Sequence, residues 1–381
     1  MKFSLATNFD NKLIEEIKNL NIFVLYGKMK DDFISGGRPA SEMRTIEKER
    51  FEQHVKLARE NGINFNYLLN GACTANQEQD LVWQDNFISW ISYLVSVGVN
   101  AVTITNPLLL IIIKKHFPNV ICRVSTFAKV DSLSKAKYWE DLGADIICAD
   151  FTTLNRDFCA LKNMVNGLKR SKIELLATNS CLKECPFLFC HTNSISHADS
   201  NYIDWCLHNC QRIQLQNPEE YIKSPWIRPE DLRYYRDIGI EHIKITERDF
   251  PTEVLVSRAK AYYNERYEGN LLDLVQGHGF SLSKEYKELV CKHQFSNVLE
   301  VDKEIKNIRG IGQERRYPRQ FYIYNIKLEG FIKFFVNDNC KRDCSKCNYC
   351  KVISEKVITK HSNTEEYLKF LYEELDRKMF K

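Results

Sequence analysis

Short apolar segments alternate with longer amphipathic segments over residues 1–265 of the chain. Eight of the short segments are rich in β-branched and aromatic residues, and most end in a polar residue, which is typical of strands. The predicted strands are Lys2–Asn8, Ile22–Gly27, Asn64–Asn70, Ala101–Asn106, Ile121–Thr126, Asp145–Asp150, Glu174–Asn179 and His242–Glu247. The predicted helices between them include Thr45–Asn61, Gln79–Val97, Ser132–Leu142 and Pro229–Ile238.

Eight strands separated by helices predict an α/β fold in which a parallel sheet closes as a TIM-like (β/α)8 barrel. A doubly wound open sheet is the structural alternative. The first predicted strand is not followed by a phosphate-binding glycine pattern, which counts against a dinucleotide-binding fold. We therefore expect a barrel over residues 1–265 and a C-terminal extension over residues 266–381.

The regular alternation breaks once, after the seventh predicted strand. Residues 180–228 form a cysteine-rich insert without clear periodicity, and long irregular segments in compact domains are usually functional. The extension carries a strand-like stretch at Gln320–Val336, four cysteines within residues 340–350, and a charged helix predicted at Thr364–Lys381. The sequence thus predicts a barrel with two cysteine-rich additions.

A polar residue stands at the end of most predicted strands, at the face where TIM barrels place their active sites. These residues are Asn8, Asn70, Asn106, Ser125, Asp150, Asn179 and Glu247 with Arg248. Any one of them could simply mark the point where a strand leaves the core. Taken together, they predict a polar mouth above an apolar barrel, with Asn70, Asp150, Glu247 and Arg248 as candidate catalytic residues.

The charge and composition of the chain argue against some kinds of function. The 54 basic and 50 acidic side chains give a net charge of +4, so a large nucleic-acid footprint is not expected. The N-terminus lacks a signal-peptide pattern, and the longest apolar run is too short to span a bilayer. We therefore expect a cytoplasmic protein, where 14 cysteines are thiols or metal ligands rather than disulfides.

The insert places two Cys-x-x-x-Cys pairs where four thiolates can converge on one centre. The pairs are Cys181 with Cys185 and Cys206 with Cys210, and Cys190 is a spare that could replace one of them. Thiolate-rich sites select zinc or iron–sulfur clusters over hard cations. Structural zinc prefers tighter Cys-x-x-Cys pairs, whereas three intervening residues suit the corners of a cubane. The spacing favours a 4Fe-4S cluster, with zinc and plain buried thiols as alternatives.

The tail packs four more cysteines into eleven residues, with gaps of three, two and two. They are Cys340, Cys344, Cys347 and Cys350. Because no longer spacer separates two zinc knuckles, the run favours a second 4Fe-4S cluster, with zinc as the main alternative. Its first three cysteines match the pattern of radical S-adenosylmethionine enzymes. We reject that interpretation because the run lies near the C-terminus and offers a fourth cysteine.

Part of the chain resembles a known family. The stretch Asn179-Ser-Cys181-Leu-Lys-Glu-Cys185-Pro-Phe, with His191, Ser196-His197 and the pair ending at Cys210, resembles the cysteine-bearing insert of the collagenase-like peptidase family of unassigned catalytic type, number thirty-two. The segments Lys223–Leu232 and Lys244–Arg248 resemble the part that follows that insert. The resemblance implies a TIM-like barrel whose 4Fe-4S cluster is held by Cys181, Cys185, Cys206 and Cys210.

The resemblance also implies a function, because members of that family take part in oxygen-independent hydroxylation of ubiquinone precursors and RNA, with prephenate implicated as the oxygen donor. We therefore expect an iron–sulfur hydroxylase or related redox enzyme that acts on a small-molecule, peptide or carrier-bound substrate. His191 and His197 are candidate proton donors, since imidazole titrates near neutral pH. Arg248 and Arg38 are candidate clamps for a carboxylate.

Two other functions stay open at this stage. An electron-transfer or accessory subunit would use the clusters without catalysis and would need a protein partner or electron donor. A peptidase is less favoured, because the chain has no His-Glu-x-x-His helix and its cysteines look committed to metal.

Overall fold

The structure, a computed structural model, describes residues 1–275 apart from 31, 33, 38–42, 44, 198–204 and 247–249, together with residues 321–360, 369 and 373. Eight parallel strands close into a barrel in chain order. The strands are β1 Lys2–Ala6, β2 Ile22–Gly27, β3 Asn64–Leu69, β4 Ala101–Ile104, β5 Ile121–Val124, β6 Ile146–Cys148, β7 Lys172–Leu176 and β8 His242–Ile245. The predicted TIM-like barrel is confirmed.

The barrel closes at β1, which pairs with two strands at once. Leu5 is in register with Leu25 of β2 and with Ile245 of β8. The strands are shorter than predicted because the polar residues at their ends have already left the sheet. Several of these residues begin the next helix instead: Asn106 Oδ1, for example, accepts from the Leu108 amide ahead of Pro107.

Helices follow the strands around the outside of the barrel. Those of the barrel are α1 Asn11–Ile17, α2 Lys48–Glu60, α3 Leu81–Ser96, α4 Pro107–His116, α5 Leu133–Asp141, α6 Phe151–Leu154 and α7 Phe158–Gly167, with α11 Leu232–Asp237 and α12 Thr252–Tyr263 beside β8. No helix in these described stretches has the length and apolar character needed to cross a bilayer.

The insert is more ordered than its sequence pattern indicated. It forms α8 Leu188–Ser196, α9 Trp205–Gln216 and α10 Glu219–Lys223. Each helix is short, and only a few apolar side chains on each are buried, such as Ile195, Leu215 and Ile222. An apolar stripe made of so few buried residues is hard to recognise in the sequence, because too few positions define its helical period.

The extension packs back on the barrel as a small helical unit. The prediction of a strand along Gln320–Val336 is wrong for most of its length. Only β9 Phe321–Ile323 is a strand, and α13 Lys333–Val336 follows a turn at Gly330, where φ is +77°. Helix α14 Tyr349–Val357 leads into β10 Ile358–Lys360, which pairs antiparallel with β9. The predicted helix at Thr364–Lys381 lies outside the described residues, apart from 369 and 373.

The barrel interior is not purely apolar, contrary to the expectation from the sequence. Arg123 of β5 and Glu174 of β7 form an ion pair there, and each is 2% exposed. Ser4 Oγ of β1 donates to Glu174 Oε1 at 2.6 Å and accepts from Arg123 Nη2 at 2.8 Å. Three strands are thereby joined across the barrel by one buried polar network.

Two buried histidines predict loss of stability in acid. Burial lowers the pKa of His54 and of His242 to about 4, so folding favours their neutral forms. This stabilisation is complete above the unfolded value of 6.5 and is lost as the pH falls toward 4. We expect urea denaturation to give a free energy of unfolding about 1–2 kcal/mol lower per histidine at about pH 5 than at about pH 7.5.

A His54→Gln variant is the control for this effect. Its side chain does not titrate in this range, so its stability should vary less with pH than that of the natural chain. Equal stability of the natural chain at both pH values would contradict the prediction.

Candidate functional site

The carboxyl ends of the strands surround a cavity of about 150 Å³, called here the mouth cavity. Three predicted site residues line it: Asn70 after β3, Cys181 at the start of the insert, and His191 on α8. Two further residues of the predicted polar ring, Ser125 and Asn179, also line it. The structure therefore brings a thiol, an imidazole and several amide and hydroxyl groups together in one space.

Asn70 presents an acceptor that the described part of the protein leaves without a partner. Its Nδ2 donates to Ser125 Oγ at 3.3 Å, while its Oδ1 is buried and accepts no hydrogen bond. A buried acceptor without a donor is costly, so this oxygen suits a ligand that carries an N–H or O–H group.

Two other predicted catalytic residues that the structure describes, Asp150 and His197, do not line the mouth cavity. Asp150 is not among the residues of the mouth cavity, and its Oδ1 caps α6 by accepting from the amide and the hydroxyl of Thr152. His197 is exposed and ends α8. Glu247, Arg248 and Arg38 lie outside the described residues. Of the proposed acid, base and clamp residues, His191 is the one that the described structure places in the cavity.

The insert cysteines divide into two pairs that follow their spacing in the sequence. Cys181 and Cys185 both pack against a small buried cluster that includes Phe151 and Leu188. Burial raises the pKa of Cys185 above its usual value. Cys206 is buried on α9, and Cys210 Sγ donates to the Leu207 carbonyl on the same helix at 3.1 Å. Within the described stretches, no three His, Cys, Asp or Glu side chains stand close enough to hold a metal ion.

The four tail cysteines share a second cavity, of about 200 Å³, called here the tail cavity. It is lined by Cys340, Cys344, Cys347 and Cys350. Burial raises the pKa of Cys350 to about 11; nearby Arg156 opposes this shift, while the other three thiols add to it. All four thiols line one space, although no three of them stand close enough together in the described structure to hold a metal ion. Four cysteines are the donors that a thiolate-bound cluster or zinc needs.

Arg156, which follows α6, lines the tail cavity beside these thiols. Its Nη1 donates to the Ile222 carbonyl at 2.6 Å, whereas its Nε is buried without a hydrogen-bond partner. Burial lowers the pKa of Arg156, and Cys350 and Cys340 are among the groups that counter this shift. In the described part of the chain, no carboxylate lies within ion-pair distance of this guanidinium group. An anionic centre in the tail cavity would fit beside it.

One of the contacts between the insert and the tail joins their cysteine-bearing segments. Lys183, between Cys181 and Cys185, brings its Nζ to 4.0 Å from Cys340 Sγ. Phe151 of α6 lines both the mouth cavity and the tail cavity. The Cys181–Cys185 segment and the tail cysteines are therefore neighbours, and the Phe151 ring lies between the two cavities.

Sequence reasoning missed Arg156, Lys183 and Lys244 as residues of these cavities. Lys244 occupies a strand position in β8 and lines the mouth cavity. A lysine within an otherwise apolar strand is a recognisable signal, because charged side chains are rarely buried unless they are paired. Arg156 offers no comparable signal, since its surroundings come from segments far apart in the sequence.

Gly71 packs against the segment at Ser35, two residues before Gly37 in the lining of the mouth cavity. Its amide donates to the Ser35 carbonyl at 2.8 Å, and a Cβ at this position would lie 2.3 Å from Ser35 Oγ and 2.9 Å from the carbonyl oxygen. We expect Gly71→Ala to cost about 1–3 kcal/mol in the free energy of unfolding, because the added methyl group must displace this segment. Thermal denaturation measures the loss. Adding Ser35→Gly should restore only part of it, since the carbonyl clash persists, and unchanged stability in Gly71→Ala would contradict the prediction.

Comparisons with known proteins find matches to one family model and to one curated relative. The model of peptidase family U32 matches residues 28–153. The uncharacterized protease MJ1657 of Methanocaldococcus jannaschii is 29% identical over 335 residues, which cover 86% of each chain.

Solved structures were matched as well. The U32 peptidase Mk0906 aligns with a TM-score of 0.47 at 17% identity, over 65% of this chain and 92% of its own. A designed cube-shaped, porous protein cage aligns with a TM-score of 0.40 at 8% identity, over 98% of both chains. The family match and the M. jannaschii relative agree with the resemblance drawn from the cysteine-bearing insert. The chain therefore matches the model of peptidase family U32 over residues 28–153, about a third of its length, and is similar to the M. jannaschii relative over 86% of its length.

Proposed function

We propose that the protein is an iron–sulfur enzyme that carries out oxygen-independent hydroxylation, or a related redox modification, in the mouth cavity. The substrate is a small molecule, a peptide or a carrier-bound intermediate. The observation that carries the proposal is the shared wall at Phe151: a cavity with Cys181 and His191 lies on one side, and a cavity with four thiols on the other. A site for substrate and a site for electrons are thus adjacent.

Each of the two cysteine sets, in the tail and in the insert, is proposed to hold one cluster. Cys340, Cys344, Cys347 and Cys350 would hold a 4Fe-4S cluster in the tail, where donor chemistry and the buried guanidinium group fit an anionic centre. Cys181, Cys185, Cys206 and Cys210 would hold another beside the mouth. In the described residues, neither this set nor the tail set brings three thiols close enough together for one metal ion. A bound cluster supplies one-electron transfer.

The chain's own residues account for binding and proton movement. Asn70 Oδ1 would accept a hydrogen bond from substrate, and His191 would hold or release a proton at the cavity wall. Hydroxylation with water breaks one C–H bond, forms one C–O bond and releases two electrons and two protons, so an electron acceptor is needed. With an organic hydroxyl donor such as prephenate, the donor exchanges its hydroxyl group for hydrogen and its reduction balances the substrate's oxidation.

The proposal places the protein in the cytoplasm, where reducing conditions keep thiols available to metal. A protein electron donor or other partner would exchange electrons at the tail. Nucleic acid is not the proposed substrate, because the net charge of +4 offers little to a phosphate backbone.

The test begins with anaerobically purified protein, analysed for iron, zinc and acid-labile sulfide and by electron paramagnetic resonance after dithionite reduction. About eight irons per chain are expected from two 4Fe-4S clusters. Candidate substrates are then incubated with hydroxyl donors and examined by mass spectrometry for one added oxygen atom. Reduction without turnover on every substrate class would favour an electron-transfer or accessory subunit, and zinc without iron would exclude the redox enzyme.

A peptidase is the second candidate, because Cys181 and His191 line the same cavity. A thiol and an imidazole are the nucleophile and base of cysteine peptidases. Peptide hydrolysis that survives air and chelation, and that is lost in Cys181→Ser, would establish this activity. Hydrolysis unaffected by that substitution would point to a contaminant.

A further inference from the structure

Arg156 stands out among the cations of the tail cavity because the others are neutralised by carboxylates. Arg342 pairs with Asp157, Lys341 with Asp338 at 2.8 Å, Lys223 with Glu220 at 2.6 Å, and Lys183 with Glu184 at 3.7 Å. Arg156 forms no such pair with any carboxylate of the described chain, and its hydrogen bonds go to backbone carbonyls. Asp231 acts on it electrostatically without forming an ion pair, so no direct contact with a described carboxylate neutralises the charge that faces the cavity.

The guanidinium group is also shielded from solvent. It lies over the ring of Trp226 at 4.3 Å, of Phe331 at 4.9 Å and of Phe335 at 5.1 Å. Aromatic faces attract a cation, but they do not neutralise it. Surroundings of this kind lower the local dielectric constant, so a charge placed beside Arg156 feels it more strongly than it would in water.

These aromatic side chains tie the barrel to the tail. Trp226 lies near the end of the insert, whereas Phe331 and Phe335 belong to the extension. Phe331 stacks on Tyr349, next to Cys350, and Phe335 meets Tyr349 edge-on. Arg156 of the barrel is thus held at a fixed place relative to the tail cysteines. Its positive charge therefore lies at a fixed distance from any group that the four thiols bind.

We infer that Arg156 is the counter-charge of an iron–sulfur centre held by Cys340, Cys344, Cys347 and Cys350, and that it sets the reduction potential of that centre. The inference rests on the proposed function, since it requires a cluster in the tail. Reduction adds one electron to a centre that four thiolates already make anionic. A fixed positive charge nearby stabilises the reduced form and so raises the potential.

The experiment compares Arg156→Met, which removes the charge, with Arg156→Lys, which keeps it. Both are made in the full chain, purified anaerobically, and titrated with dithionite while the electron paramagnetic resonance signal is followed. We expect Arg156→Met to lower the ratio of reduced to oxidised cluster about tenfold at a fixed potential, equivalent to about 59 mV for a one-electron couple. Arg156→Lys should stay near the natural value.

Two controls assign the signal and the effect. The double variant Cys344→Ser/Cys347→Ser should lack the tail signal and thereby identify it. Arg233→Met removes an exposed arginine that lies over Tyr234 at 4.8 Å, and it should leave the potential unchanged. If Arg156 only supported packing, both of its variants would lower the melting temperature and neither would move the potential.

The outcomes separate the inference from the proposed function. Iron-free natural protein would refute both, whereas a tail cluster whose potential is the same in Arg156→Met would refute the inference alone. Zinc in the tail with iron in the insert would also refute the inference while leaving a cluster at the mouth. If Arg156→Met does not fold, Arg156→Gln provides the second test, because it also removes the charge while keeping a polar side chain. The potential should fall in the same way, and no shift would contradict the inference.

Discussion

Glu174→Ala is expected to lower the free energy of unfolding by about 3–5 kcal/mol, because it leaves a buried charge without its partner. Arg123, the partner, is 2% exposed and already has one nitrogen, Nη1, without a hydrogen-bond partner. Ser4 Oγ would lose its acceptor as well. Urea denaturation followed by circular dichroism measures the loss.

An exposed ion pair of the same barrel supplies the control. Lys172 and Glu241 approach to 3.7 Å, with both side chains half exposed or more. Glu241→Ala should cost at most about 1 kcal/mol, because solvent screens such a pair. Equal losses in the two variants would show that burial of the Arg123 pair does not matter.

The same pair predicts a pH effect with a definite sign. Burial alone would raise the pKa of Glu174, but Arg123, Lys244 and the Ser4 hydroxyl outweigh it and hold the pKa below its usual value. A depressed pKa contributes stability above the unfolded value, and that stability is lost as the pH falls through the folded value. The difference in stability between the natural chain and Glu174→Ala should therefore shrink in strong acid.

The barrel could be predicted from sequence because its signal is local. β-Branched runs such as those of β2 and β4 define strands, and the intervening amphipathic stretches define helices. The ends of the strands are predicted less accurately. Asn106 and Asp150 were assigned to strand ends that form a mouth, whereas both serve as helix caps. A polar residue after a strand serves a site or a cap equally well, and only the following backbone distinguishes them.

The site residues are predictable from the sequence only where they lie close together along the chain. The tail cysteines lie within eleven residues, so any compact fold of that segment brings them near one another. Arg156 approaches them only because Trp226 and Phe331 fold around it, which no local pattern encodes. Likewise, no spacing rule places Lys183 beside Cys340. Contacts between distant segments depend on tertiary packing, and they supply the parts of the site that sequence reasoning missed.

Cysteine variants can show whether the insert cysteines and the tail cysteines bind two separate clusters or one shared cluster. The tail thiols line one cavity, and Cys181 lines another. If each set binds its own cluster, Cys344→Ser/Cys347→Ser should remove about four of about eight irons, and Cys181→Ser/Cys185→Ser should remove the other four. The losses should add in the quadruple variant, because each set would lose its cluster independently.

Cys122→Ala and Cys159→Ala are matched controls, one buried in β5 and one exposed on α7, and neither should change the iron content. Loss of all iron in either double variant would mean a single centre with ligands from both segments. The contact of Lys183 with Cys340 makes that result structurally coherent, because it places the Cys181–Cys185 segment against the tail. Additive losses would instead establish two centres, with Phe151 lining the cavities on both sides of the path between them.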